Sequence, residues 1–188
     1  MRRVFFVIAL IFSLGVYSQR WHFQYGFKFG VGESFHQGDS AVNKGTNFNY
    51  QIGFAGRVTK KNLIMDFGVL YHYSPYFNSD YYGHTRTNTM GLNIPFTAGV
   101  VLINKPLFKW NLQAGIQNSF IFSDGFSKKW PSEAMTYAPY QLSGLLTTGI
   151  EVAWFIFDVN YQPGISPMFK GVSEHWNHSL NFSIGLIF

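Results

Sequence analysis

The sequence contains no cysteine. That absence excludes disulfide staples, thiolate metal sites and a lipidated N-terminal cysteine. Charge is scarce as well: only 12% of the residues are Asp, Glu, Lys or Arg, yet the mean hydropathy is just +0.02. Long apolar runs are missing too. Beyond residue 18 the longest is VAWFIF (152–157), far short of the roughly 20 residues that a membrane-crossing helix needs. A concentrated basic face is also lacking, because the formal charge of +5 includes short lysine pairs at turns such as TKKN (59–62) and SKK (127–129). A nucleic-acid partner is therefore excluded. What remains is neither a helical membrane protein nor an ordinary soluble domain.

The one strongly apolar stretch lies at the start. Arg2 and Arg3 precede VFFVIALIF (4–12), and Val16-Tyr17-Ser18 ends on a small residue. This is the pattern of a secretory signal peptide, expected over residues 1–18, with a single domain over 19–188. Its removal would take away two arginines and lower the net charge from +5 to +3.

Aromatic residues make up 20% of the chain and are spread along it at a fixed period. Trp21, Phe23, Tyr25, Phe27, Phe29 and Val31 alternate with His22, Gln24, Gly26, Lys28 and Gly30. Alternation at period two predicts a strand with one apolar face. The pattern recurs over 47–58, 63–73, 89–102, 110–122, 138–150, 153–162 and 176–188. Short connections (59–62, 103–109, 151–152) alternate with long ones (32–46, 74–88, 123–137, 163–175). An up-and-down sheet then carries all its long loops at one end and both termini at the other. The fold class expected is all-β, an eight-stranded antiparallel up-and-down transmembrane β-barrel. A four-residue turn at 59–62 would pair Val58 with Leu63 and keep the apolar faces together.

Volume decides which face looks outward. An eight-stranded barrel has a bore just wide enough for its own side chains, and the apolar faces carry too many large residues to fit. The opposite faces are rich in Gly, Ser, Thr, Asn and Gln, which do fit. The large residues must therefore surround the barrel, where lipid rather than water suits them. Trp21, Trp110 and Phe188 would form a girdle at the turn end, and Tyr50, Tyr73, Phe122, Tyr140, Tyr161 and Trp176 one at the loop end. His178, polar on the outward face, would reach the loop-end interface.

Inside, Lys28, Arg57, Asp66, Glu151 and Asp158 are expected to form a polar network, with Arg57 and Asp66 meeting diagonally across a hairpin. A lipid-modifying enzyme is the runner-up reading, since Ser34, Glu33 and His36, then Ser79, Asp80 and His84, then Glu174, His175 and His178 supply loop nucleophiles, bases and acids. No spacing among them demands that chemistry, so the chain is read as a non-enzyme without cofactor. His175 and His178 point to opposite faces if both lie on a strand, which argues against a metal site. Tyr76, Phe77, Tyr81 and Tyr82 crowd the second loop and are candidate contacts for a partner protein, a glycan or lipopolysaccharide. The role expected is structural or accessory, and a narrow pore is the third reading.

The stretches GLNIPFTAG (91–99), LQAGIQNSFIF (112–122) and FDVNYQPGIS (157–166), with a last alternating strand ending in Phe188, resemble small outer-membrane barrels of the PorT-like type. The resemblance spans most of residues 19–188. It implies an eight-stranded barrel, and the loop layout read above puts that barrel in a bacterial outer membrane with both termini in the periplasm. It also implies insertion by the outer-membrane assembly machinery, with Phe188 as the C-terminal signal. For the family's namesake it implies a part in type IX protein secretion, hence an envelope protein complex as a further candidate partner beside lipid and lipopolysaccharide.

Overall fold

A computed structural model of the chain describes residues 21–37, 46–80, 83–124, 136–167, 169–170 and 176–188. Residues 1–18, the expected signal, lie outside them. The alternating segments form strands β1 (His22–Gln37), β2 (Thr46–Lys60), β3 (Leu63–Asp80), β4 (Gly83–Lys105) and β5 (Phe108–Asp124). There follow β6 (Thr136–Tyr137), β7 (Tyr140–Val152), β8 (Phe155–Gln162), β9 (Phe169–Lys170) and β10 (Trp176–Ile187). Eight of them close a barrel in the order β1-β10-β8-β7-β5-β4-β3-β2, while β6 and β9 pair with each other alone. All neighbours in the wall are antiparallel. At the seam between first and last strands, the Phe188 N–H donates to the Tyr25 carbonyl at 2.9 Å and the Tyr25 N–H donates to the Phe188 carbonyl at 3.1 Å. Closure leaves no sheet edge along the wall, as a hydrocarbon surround requires.

The barrel is apolar outside and polar inside. Among the described residues 39 large hydrophobic side chains are exposed, against six buried hydrophobic ones, whereas 23 polar or charged side chains are buried. Phe27 is 57% exposed and its barrel-wall partner Phe54 is 65% exposed, their rings 4.8 Å apart. In the loop-end girdle, Tyr50 stacks on its cross-strand partner Tyr73 at 4.9 Å. Ile64 and Leu70, which break the alternation of the third segment, point into the bore.

Several expectations about connections are corrected, the short ones expected at 103–109 and 151–152 being the turns 106–107 and 153–154. The turn after β2 holds two residues, not four: Lys60 pairs with Leu63 and Val58 with Met65. The displacement is by two positions, so each apolar face still meets its neighbour. The stretch 74–88 is not mainly a loop, because β3 and β4 stay paired from Ser74↔Thr89 up to Asp80↔Gly83. Residues 32–37 likewise continue β1. Polar residues interrupt the apolar contrast there, but backbone pairing does not depend on it. The β2–β3 ladder stops at Tyr50↔Tyr73, and the next β3 residue facing β2 would be Pro75, which has no N–H to donate.

The short turns carry local strain. Among the described residues, Lys61 and Ala153 are the non-glycine residues with positive φ, at 54° and 55°. For an L-residue this region costs about 1–2 kcal/mol. Ala153→Gly removes that cost and adds roughly 0.5–1 kcal/mol of chain entropy to be lost on folding. A higher urea midpoint than the parent is the expected outcome, provided refolding is measured in the same detergent.

Candidate functional site

The charged residues of the bore come from strands that the register brings to one level. Arg57 on β2 stands directly opposite Asp66 on β3, not diagonally, because the shorter turn shifts the hairpin by two. The guanidinium grips the carboxylate with both sides of its fork, Nε to Oδ1 at 2.8 Å and Nη2 to Oδ2 at 2.6 Å. Its third nitrogen, Nη1, donates to Glu151 Oε2 on β7 at 3.1 Å. Strands β2 and β7 are four places apart in either direction round the wall, so this bond crosses the full width of the bore. Lys109 Nζ donates to the other Glu151 oxygen at 2.6 Å, and Lys28 forms an ion pair with Asp158. Three cations and three anions thus meet, and their charges cancel.

Neutral groups extend the bar. Gln113 Nε2 donates to Asp66 Oδ2 at 3.0 Å, and Gln113 Oε1 receives the Thr97 hydroxyl at 2.6 Å. Arg57 is 1% exposed, so each of its donors must have a partner within the protein or bound water. Gly149 belongs to the same arrangement, since a side chain there would occupy the space taken by Asp158 Oδ1. Gly149→Ala should push that carboxylate off Lys28 and cost about 1–3 kcal/mol, read as a lower unfolding midpoint.

On the turn side of the bar, Ile64, Val101, Ile156 and Ile187 are all buried and form an apolar floor. On the loop side lies a layer of amides. Gln117 and Gln162 exchange hydrogen bonds of 3.1 and 3.2 Å, and Asn93 donates to Gln51 at 3.3 Å. Two cavities, of about 40 and 30 Å³, share Gln51, Gln117 and Gln162 in their walls. A water needs roughly 10–15 Å³, so each chamber has room for a few waters and neither is a channel.

The structure brings Lys28, Arg57, Asp66, Glu151 and Asp158 into the bore. Sequence reading missed Lys109, which sits one residue before Trp110 and therefore on the opposite, inward face. Several of the loop candidates lie on strands. Ser34 is not in a loop but in β1, facing inward and accepting a 2.9 Å bond from Asn49 Nδ2, while Glu33 faces outward. His36 also lies in β1, and Ser79, Asp80 and His84 lie on the β3–β4 ribbon, Ser79 opposite His84. His178, on β10, pairs with Phe35 of β1; Glu174 and His175 fall outside the described residues. Tyr76 and Phe77 continue β3, and Tyr81 and Tyr82 are outside the described residues. No group of three metal-ligating side chains occurs among the described residues.

No family model and no curated protein matches the chain. Among solved structures, it is similar to the outer membrane protein OprG from Pseudomonas aeruginosa, with 10% identity over 90% of this chain and 97% of that one, at a TM-score of 0.55. It is also similar to Neisserial surface protein A, with 12% identity over 90% of this chain and all of that one, at a TM-score of 0.53. At such identities the likeness concerns the fold, which is that of the small outer-membrane barrels.

Proposed function

We propose that the chain is a small bacterial outer-membrane barrel with a structural or accessory role, presenting its outer surface and long connections to an envelope assembly. The observation that carries this reading is the bore: a bar of ion pairs spans its width above an apolar floor. A conducting interior would need an open path through that level, whereas the cavity beside Lys28, Arg57 and Asp66 measures only about 40 Å³. In this reading residues 1–18 are removed on export, the short turns and both termini face the periplasm, and Phe188 serves recognition by the assembly machinery. Similarity to the PorT-like type makes a secretion system the first assembly to test. Tyr76, Phe77, Tyr81 and Tyr82 are the contacts proposed for a partner or for lipopolysaccharide.

Purification from the native membrane in mild detergent, with mass spectrometry of what travels with the barrel, tests the proposal. A second envelope protein in fixed stoichiometry is expected. Recovery with lipid alone, or a steady conductance in planar bilayers, would count against it. Unchanged lipid A in His36→Ala and His84→Ala cells is the outcome expected of a non-enzyme.

A further inference from the structure

Charge at the turn end has one sign. Lys60 closes β2, Lys61 is in the turn that follows, and Lys105 ends β4. The first turn is fastened to the end of β4: the Val101 N–H donates to the Asn62 carbonyl at 2.7 Å, and Asn104 Nδ2 to the Lys61 carbonyl at 3.4 Å. The three lysines therefore occupy one arc of the rim. Among the described residues none of them pairs with a carboxylate, whereas Lys28, Arg57 and Lys109 all do. Acidic residues do not offset them. The one Asp or Glu within three positions of a two-residue turn (61–62, 106–107 or 153–154) is Glu151, and it is buried in the bore.

The lysines also stand at a defined depth. Lys60 Nζ lies 4.7 Å from the centre of the Trp21 ring, a cation–π distance. Trp21 is 46% exposed, and Leu63 and Leu102 beside the same turn and strand end are 57% and 51% exposed. The cations thus begin where the apolar belt ends, which in a bilayer is the level of headgroup phosphates. We propose that Lys60, Lys61 and Lys105, with Trp21 beneath them, form a seat for the phosphate of an anionic phospholipid in the leaflet at the turn end. The proposal rests on the bilayer residence put forward above. Juxtaposition with the apolar belt favours a lipid over an acidic soluble protein, which would not need lysines at that depth.

The test uses the barrel refolded into nanodiscs of phosphatidylcholine and phosphatidylglycerol in equal amounts, with bound lipid counted by native mass spectrometry. Phosphatidylglycerol should be retained in excess. A surface lysine contributes about fivefold in affinity for an anionic membrane, so the excess should fall stepwise across Lys60→Gln, Lys61→Gln and Lys105→Gln and disappear in the triple variant. Lys→Arg at all three should keep it. Equal retention of both lipids by the parent, or undiminished excess in a folded triple variant, overturns the seat. So does equal binding of soluble glycerol phosphate by the parent in detergent, or a shift on adding a soluble polyanionic peptide with no lipid preference. Failure to enter nanodiscs of either lipid would instead strike the bilayer reading, which keeps the two outcomes apart.

Discussion

Arg57→Ala is expected to lower the unfolding free energy by about 3–5 kcal/mol, the usual cost of removing one partner of a buried ion pair. The reason is geometric. The side chain is fully enclosed, holds Asp66 by two bonds and reaches Glu151 across the bore. Among the described residues, its loss leaves Asp66 with only the Gln113 amide and Glu151 with only Lys109 as hydrogen-bond partners. Replacement by lysine keeps the charge but not the fork, and a point charge cannot serve both carboxylates in the same plane. Arg57→Lys should therefore lose less than alanine and still fall below the parent. Urea titration of the refolded barrel, followed by tryptophan fluorescence, gives the ranking. Equal midpoints for parent and alanine variant would mean that the bar contributes nothing to stability.

Phe27→Arg is the second large effect. Phe27 lies midway along the outward row from Trp21 to Val31, packs on Phe54, and is more than half exposed. At the middle of a bilayer an arginine on the lipid face costs about 2–4 kcal/mol, falling to roughly 0–1 near the interface. Trp21→Arg, at the end of the same row, should thus be tolerated where Phe27→Arg is not. Measured in lipid vesicles, a penalty that depends on depth is the expected signature. Equal penalties at the two positions would place neither in hydrocarbon.

Much of this architecture was legible in the sequence because a strand's side chains alternate strictly. The row from Trp21 to Val31 and the positions of Lys28, Arg57 and Asp66 follow from parity alone. Parity also survives the error at the turn after β2, since a displacement of two leaves every face unchanged. It cannot say how far a strand runs once apolar contrast fades, which is why the ribbon of 74–88 reads as a loop. Nor does it show which residues meet across the bore. The bond from Arg57 to Glu151 joins positions 94 apart in the chain, and only the closed order of strands brings β2 opposite β7. Lys109 was hidden for a simpler reason, lying just outside the segment drawn from its apolar members. The loop candidates for catalysis rested on local crowding of Ser, His and Asp or Glu, which says nothing about direction: Glu33 and Ser34, for example, point to opposite faces.

The chain has no native cysteine, so single spin labels can be introduced one at a time at Phe27, Ile52, Ile94 and Leu112, and at Gln51, Asn93 and Gln113. Power-saturation measurements in bilayers then report which probe reaches each label. Labels at the first four should be relaxed by oxygen and shielded from a water-soluble nickel chelate, while the inward three should be shielded from both. Free access of the chelate to the aromatic and aliphatic positions would contradict the lipid-facing assignment on which the whole account depends.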